Sequence, residues 1–148
     1  MAIVPFRYRT GGVMKWNIEF DEPNGFLRAY QSGNFKPADQ ASFLSDIFSS
    51  QFWQTGLPLM IDYCHLDVDN IRYGDILSSS EFLTALNGSL GPGKIALLCD
   101  DDVQFGIGRQ FQMIALIHLD REIAVFHSGR AAIGWLTGQH LAARTAQV

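Results

Sequence analysis

The sequence predicts an α/β protein with one mixed β-sheet, an N-terminal hairpin and packed helices, in the order ββαβαβαβα. Three observations carry that prediction. From Val13 the chain alternates apolar and polar residues, then meets the turn residues Asp21-Glu22-Pro23-Asn24-Gly25, which together read as a hairpin. Residues 57–64 are a continuous apolar run broken only by Asp62, as in a strand covered on both faces. Between Lys94 and Leu136, two apolar runs flank a helix-length apolar segment, the makings of a βαβ unit with a right-handed crossover. Strands 59–64, 95–99 and 123–126 are therefore expected to run parallel.

The elements follow in order. Met14, Trp16, Ile18 and Phe20 share one side of the first strand, with Lys15, Asn17 and Glu19 on the other. Asn24-Gly25 supplies the positive φ of a tight turn, and residues 26–31 return as the second strand. Pro37 suits a first helical turn and Asp39 the positive end of the helix dipole. Leu44, Ile47, Phe48 and Phe52 then recur at helical spacing, and Gly56 closes the helix. After strand 57–64, a polar connection over 65–70 leads into a helix over 71–86, with Ile76, Phe82, Leu83 and Leu86 on its inner face. Asn87-Gly88 and Gly91-Pro92-Gly93 stop it. Strand 94–99, helix 103–119 and strand 122–126 come next. Ser128 caps a closing helix that Gly138 ends; its inner face holds Ala131, Ala132, Trp135 and Leu136, with Trp135 largely buried. Residues 13–138 make one domain, with flexible ends over 1–12 and 139–148.

Composition excludes several classes. A chain of 148 residues with 47% apolar and 18% charged residues has the material for one core and no case for disorder. The net charge of −4 and eleven scattered basic residues exclude a nucleic-acid surface, which needs clustered Lys and Arg. Cys64 and Cys99 are not spaced as a metal or redox motif and read as free, buried thiols. With no membrane span and no signal-peptide pattern, the expectation is a soluble, cytoplasmic protein.

At this point the chain resembles the bacterial STAS/SEC14-like proteins, related in fold to anti-sigma-factor antagonists. The resemblance rests on the hairpin start, on Leu59-Met60-Ile61-Asp62, and on Lys94-Ile95-Ala96-Leu97-Leu98. It rests also on Ile123-Ala124-Val125-Phe126 followed by Ala131-Ala132-Ile133-Gly134-Trp135-Leu136. It spans about residues 13–136, and its specificity lies in the order of these phrases. It implies a STAS-like α/β domain used for protein association or for holding a small, often apolar molecule. Phosphorylated members carry a Ser or Thr where the central strand leads into the next helix. Residues 62–70 contain neither, so that switch is not carried over.

Ligands of open α/β sheets sit at the carboxyl ends of the strands. The loops expected there bring Asp62, His65, Asp67 and Asp69 towards Asp100, Asp101 and Asp102. These residue types can ligate a cation or move a proton, but hydrated loop carboxylates are the plainer reading, and no metal or cofactor is expected. Gly106 and Gly108 lack the third glycine of a dinucleotide fingerprint and follow three aspartates, so they read as easing a helix past the sheet. Arg109 offers a fork for a carboxylate or phosphate, with Asp100 to Asp102 as the acids expected to neutralise it. Ser78, Ser79 and Ser80 read as a solvent face. Trp53 and Phe52, with Phe35 and Tyr63, are candidates to line an apolar pocket or partner surface.

No nucleophile–base pair or nucleophile elbow stands out, so no catalytic residue is assigned. The leading expectation is a non-enzymatic module acting by protein association in bacterial regulation, with another protein or a second copy in a homodimer as partner. A carrier or sensor of a small apolar ligand is the alternative, and a hydrolase or metal enzyme at the carboxyl-end loops the weaker one. Asp62, His65, Asp67, Asp100, Arg109, Trp53 and Tyr63 are the candidate binding residues.

Overall fold

The computed structural model describes residues 13–138; the expected flexible ends lie outside them. The elements are β1 (Lys15–Asp21), β2 (Phe26–Asn34), α1 (Pro37–Ser49), β3 (Leu59–Asp67), α2 (Tyr73–Ala85) and α3 (Asn87–Leu90). They continue with β4 (Gly93–Leu98), α4 (Asp102–His118), β5 (Arg121–Phe126) and α5 (Gly129–Thr137). The five strands form one sheet in sequence order. β1 and β2 are an antiparallel hairpin, and β2 to β5 are parallel, as the apolar runs require. Parallel strands laid down in one direction with right-handed crossovers send every connecting helix to the same face. α1, α2 and α4 accordingly cover one side, over Leu27, Ala29, Leu59, Ile61, Ile95, Leu97 and Ile123. Among the described residues only α5, which follows the last of these strands, covers the other, over Phe26, Met60, Ala96 and Leu98.

Several local expectations hold for their stated reasons. Pro37 occupies the first turn of α1 with Asp39 beside it. Ser128 Oγ accepts from Ala131 N at 3.2 Å, and Gly138 ends α5 with φ +79°.

Others are corrected. α1 stops at Ser49 rather than near Gly56, so Phe52 leaves the stripe and stacks on Phe20 with ring centroids 5.5 Å apart. β2 runs on to Asn34 and β3 to Asp67, pairing in parallel, so His65 and Asp67 are strand residues and not part of a loop. α2 begins at Tyr73, and Asn87-Gly88 opens the short α3 instead of stopping the helix. In α5, Ala131 is exposed while Ala132 and Leu136 are buried. Trp135 is half-buried, with the Lys94 ammonium 5.0 Å from its ring centroid and donating to its carbonyl at 2.9 Å.

Candidate functional site

The carboxyl ends of β3 and β4 are organised by one side chain. Tyr30 faces Asp62 and Ser32 faces His65, so β3 carries an extra residue there, a β-bulge. The bulge frees backbone groups that must find partners. Cys64 N donates to Asp62 Oδ1 at 3.2 Å. The carbonyls of Tyr63, Cys64 and Leu66 all accept from Gln104 Nε2, at 2.9, 3.0 and 3.0 Å. Gln104 Oε1 in turn accepts from Asp100 N at 2.7 Å and Asp101 N at 3.1 Å. Gln104 has no exposed surface and ties β3 to the start of α4. Its signal in the sequence is Asp101-x-x-Gln104, a capping-box spacing, and Gln104 N does donate to Asp101 Oδ1 at 2.8 Å.

Around this joint the candidate residues separate. Asp62 lies on the α5 side of the sheet and accepts from Arg28 Nη2 at 2.8 Å, while the Arg28 guanidinium stands 4.9 Å from the centre of the Tyr30 ring. Burial opposes the Arg28 charge, but its hydrogen bond to Asp62 and its neighbours Tyr30 and Cys64 hold its pKa above the usual value. Tyr63 lies on the helix-covered side and donates to the Gln104 carbonyl at 2.7 Å; burial raises its pKa. Gly108 is required there, because a Cβ would run into Tyr63 Oη and the Val125 methyls. This is the packing role read from the sequence for both glycines, but Gly106 does not share it: it is exposed, with open space where a Cβ would stand. His65 is half-exposed, Asp67 Oδ1 accepts from Asp69 N at 2.9 Å, and Asp100 is exposed. Among the described residues no three His, Cys, Asp or Glu side chains converge as metal ligands.

A nucleophile, an imidazole and a carboxylate do line up nearby. Cys99 Sγ is 3.8 Å from His127 Nδ1, and His127 Nε2 is 4.0 Å from Asp102 Oδ1. His127 also stacks on Phe105. The chemistry does not follow from the order. Cys99 is fully buried, and burial together with the neighbouring aspartates raises its pKa to about 11. Cys64 is raised as well, first by burial and then by Asp62. Near neutral pH both remain thiols, which are poor nucleophiles and poor ligands.

Two features remain as sites. The first is a half-open cavity of about 80 Å³ beneath α1, α2 and α4, lined by Phe35, Leu44, Ile61, Tyr63, Leu83 and Phe111 among others. Gln31 and Gln40, bonded to each other at 2.9 Å, and Ser79 add polar atoms to its wall. Phe35 and Tyr63 thus line a pocket as expected, but Trp53 and Phe52 do not. Trp53 packs edge-on against Phe48 and lies 5.6 Å from the Arg121 guanidinium. The serines are a solvent face only in part: Ser78 is exposed and Ser79 half-buried, but Ser80 is fully buried.

The second feature is the outer face of α4. Gln104, Gly108 and Ala115 face inward, and the opposite side carries Val103, Met113, Leu116 and Ile117, exposed by 58, 66, 77 and 79%. Arg109, also exposed, stands on this face without an ion pair among the described residues; the expected neutralisation by Asp100 to Asp102 does not occur. Sequence reasoning registered this helix only as apolar. The signal was a sparse polar face: Asp102, Arg109 and His118 are its only charged or titratable residues, so Met113, Leu116 and Ile117 fall on exposed positions that a surface helix ordinarily gives to polar residues.

No known family profile matches the chain, and no curated protein matches it. A solved structure does. It is an uncharacterized protein from the DUF3478 family with a SpoIIAA-like fold, from Shewanella loihica PV-4, 18% identical, with a TM-score of 0.55. The match covers 83% of this chain and 93% of that one. The chain therefore has the SpoIIAA-like fold, the fold of the anti-sigma-factor antagonists. Among its described residues no helix is long and apolar enough to cross a membrane.

Proposed function

We propose that the protein is a non-enzymatic association module that engages a protein partner through the outer face of α4. The observation that carries this reading is the exposed cluster Met113, Leu116 and Ile117, three large apolar side chains within a turn of each other on a helix otherwise docked on the sheet. Covering such side chains is worth roughly 1.5–3 kcal/mol each before the cost of association. Scattered exposed apolar residues are normal, but a contiguous cluster marks a contact surface. The raised pKa values of half-buried Cys64 and buried Cys99 speak against a thiolate nucleophile near neutral pH. Ile117→Glu tests the reading. Tagged wild-type chain is expected to retain a partner from its source cells, and the folded variant to lose it. Equal retention by both would reject the α4 face.

The cavity supports a second reading, in which a small apolar molecule sits beneath α1, α2 and α4. Its volume of about 80 Å³ is small against the roughly 300–1,000 Å³ of ordinary ligand pockets, which places this reading second. Native mass spectrometry of the purified chain is expected to show the bare mass. A stoichiometric adduct lost on Leu83→Trp would reverse the order of the two readings.

A further inference from the structure

We infer that the chain pairs with a second copy of itself through the outer edge of β1, antiparallel about a two-fold axis at Ile18, so that two sheets join into one. This contact lies on a different element from the α4 face. An open sheet has two edges, each a row of unpaired N–H and C=O groups, and here they belong to β1 and β5. β5 is guarded. Phe126 O turns to β4, where it accepts from Cys99 N, so by alternation Ile123 O turns outward. Gln112 Nε2 of α4 donates to it at 2.7 Å. β1 lacks the usual guards: it contains no proline or glycine, none of its residues is fully buried, and its register with β2 has no bulge. Among the described residues it pairs with β2 alone.

The register follows from the strand itself. Leu27 N donates to Pro58 O, so odd-numbered residues of β2 turn to β3, and Phe26, Arg28 and Tyr30 turn to β1. Their partners Asp21, Glu19 and Asn17 turn to β2, which leaves the N–H and C=O of Trp16, Ile18 and Phe20 pointing outward. A surface that binds itself must be its own complement. With the axis at Ile18, the two Ile18 residues exchange main-chain hydrogen bonds, and each Trp16 does so with the other copy's Phe20. Their apolar side chains meet on the helix-covered side, where Trp16, Ile18 and Phe20 are only partly buried. On the opposite side, each Lys15 stands against the other copy's Asp21. Lys15 is exposed, and neither residue has an ion pair among the described residues. Asp21 accepts only from Asn24, at 3.0 Å. Each Asn17 amide faces the other copy's Glu19, whose Oε2 has no hydrogen-bond partner among the described residues. Other centres fit worse. An axis between two residues opposes outward groups to inward ones. An axis at Glu19 opposes like carboxylates, and one at Asn17 leaves Phe20 and Asp21 beyond the other strand. One strand pair buries less than the roughly 1,200 Å² of a standard interface, so the dimer is expected to be weak, with Kd on the order of 10 µM.

Sedimentation equilibrium of the full chain tests the inference, and wild type is expected to pass reversibly from monomer to dimer. Ile18→Pro removes an N–H that bonds nothing within the monomer, which an edge strand tolerates, and is expected to weaken the dimer on the order of a hundredfold. Lys15→Glu and Asp21→Lys, each folded by circular dichroism, are expected to weaken it about tenfold, because each sets like charges together at both ends. An equimolar mixture of these two is expected to restore it, since the heterodimer again has opposite charges at both ends. Amide exchange followed by NMR adds a signature of strand pairing: the N–H groups of Trp16, Ile18 and Phe20 are expected to slow with rising concentration, while those of Asn17 and Glu19, already turned to β2, do not change. A wild type monomeric up to about 50 times the expected Kd overturns the inference. So does a mixture no tighter than the single variants, or a dimer in which those three amides exchange as in the monomer. Ile117→Glu is expected to dimerise as wild type does, and its failure to do so would move the contact to α4 and overturn the β1 assignment.

Discussion

Replacing Gln104 with leucine is expected to lower the unfolding free energy by about 4 kcal/mol. Leucine has nearly the same volume, so little of this loss comes from a cavity. It comes from the carbonyls of Tyr63, Cys64 and Leu66 and the amides of Asp100 and Asp101, which lose their shared partner inside the protein. Each orphaned buried group costs about 1–3 kcal/mol, less whatever solvent or rearrangement recovers. Gln104→Glu is a sharper control. It keeps the shape and the acceptor but turns an oxygen towards three carbonyls, and is expected to cost at least as much. Urea denaturation measures both. A change below about 1 kcal/mol for either variant would mean that Gln104 does not hold the bulge.

Arg121→Met is expected to cost about 3 kcal/mol. Arg121 is 3% exposed and has no carboxylate partner among the described residues. It donates to the carbonyls of Gly91 at 2.9 Å, Leu57 at 2.7 Å, Lys94 at 3.2 Å and Leu90 at 2.6 Å. These four come from the segment before β3, from α3 with the residue after it, and from β4, so one guanidinium closes the lower end of the sheet. Methionine keeps much of the stem's volume and none of the donors. The cost of burying the charge is relieved at the same time, which is why the expected loss stays below the sum of four orphaned carbonyls. Burial lowers the Arg121 pKa from 12.5 to about 10. A depressed folded-state pKa adds stability only above the unfolded value, and that gain is lost as pH falls through 10. Between about pH 6 and 9 Arg121 is therefore protonated folded or unfolded, and the difference between wild type and variant is expected to be flat. A difference that changes by more than 1 kcal/mol across that range would show that the cation is not held as described.

The candidate site was only partly legible. Tyr63 and Phe35 line the cavity they were expected to line, because both follow from strand parity and the position of α1. Arg109 was singled out for its fork, and the structure leaves it on the exposed side of α4 without an ion pair among the described residues. Met113, Leu116 and Ile117 were missed. In a helix as apolar as α4, periodicity alone does not say which side meets the sheet. That side is decided by Gly108 and Ala115, whose small size lets the helix approach Tyr63 and Val125.

By itself, the sequence determined the α/β class, the N-terminal hairpin, the parallel strands and the caps at Pro37, Ser128 and Gly138. Each of these depends on period, turn chemistry or capping, which act over a few neighbouring residues. Only the tertiary structure decided that β3 runs through the bulge to Asp67, because that extension depends on Gln104, about forty residues along the chain, satisfying its carbonyls. It also decided that Asp62 pairs with Arg28 across the sheet rather than joining Asp100, and that Arg121 is buried among carbonyls from three separate segments. A polar side chain shows its type in the sequence but not its partner. When the partner is a backbone carbonyl brought in from elsewhere, packing alone selects it.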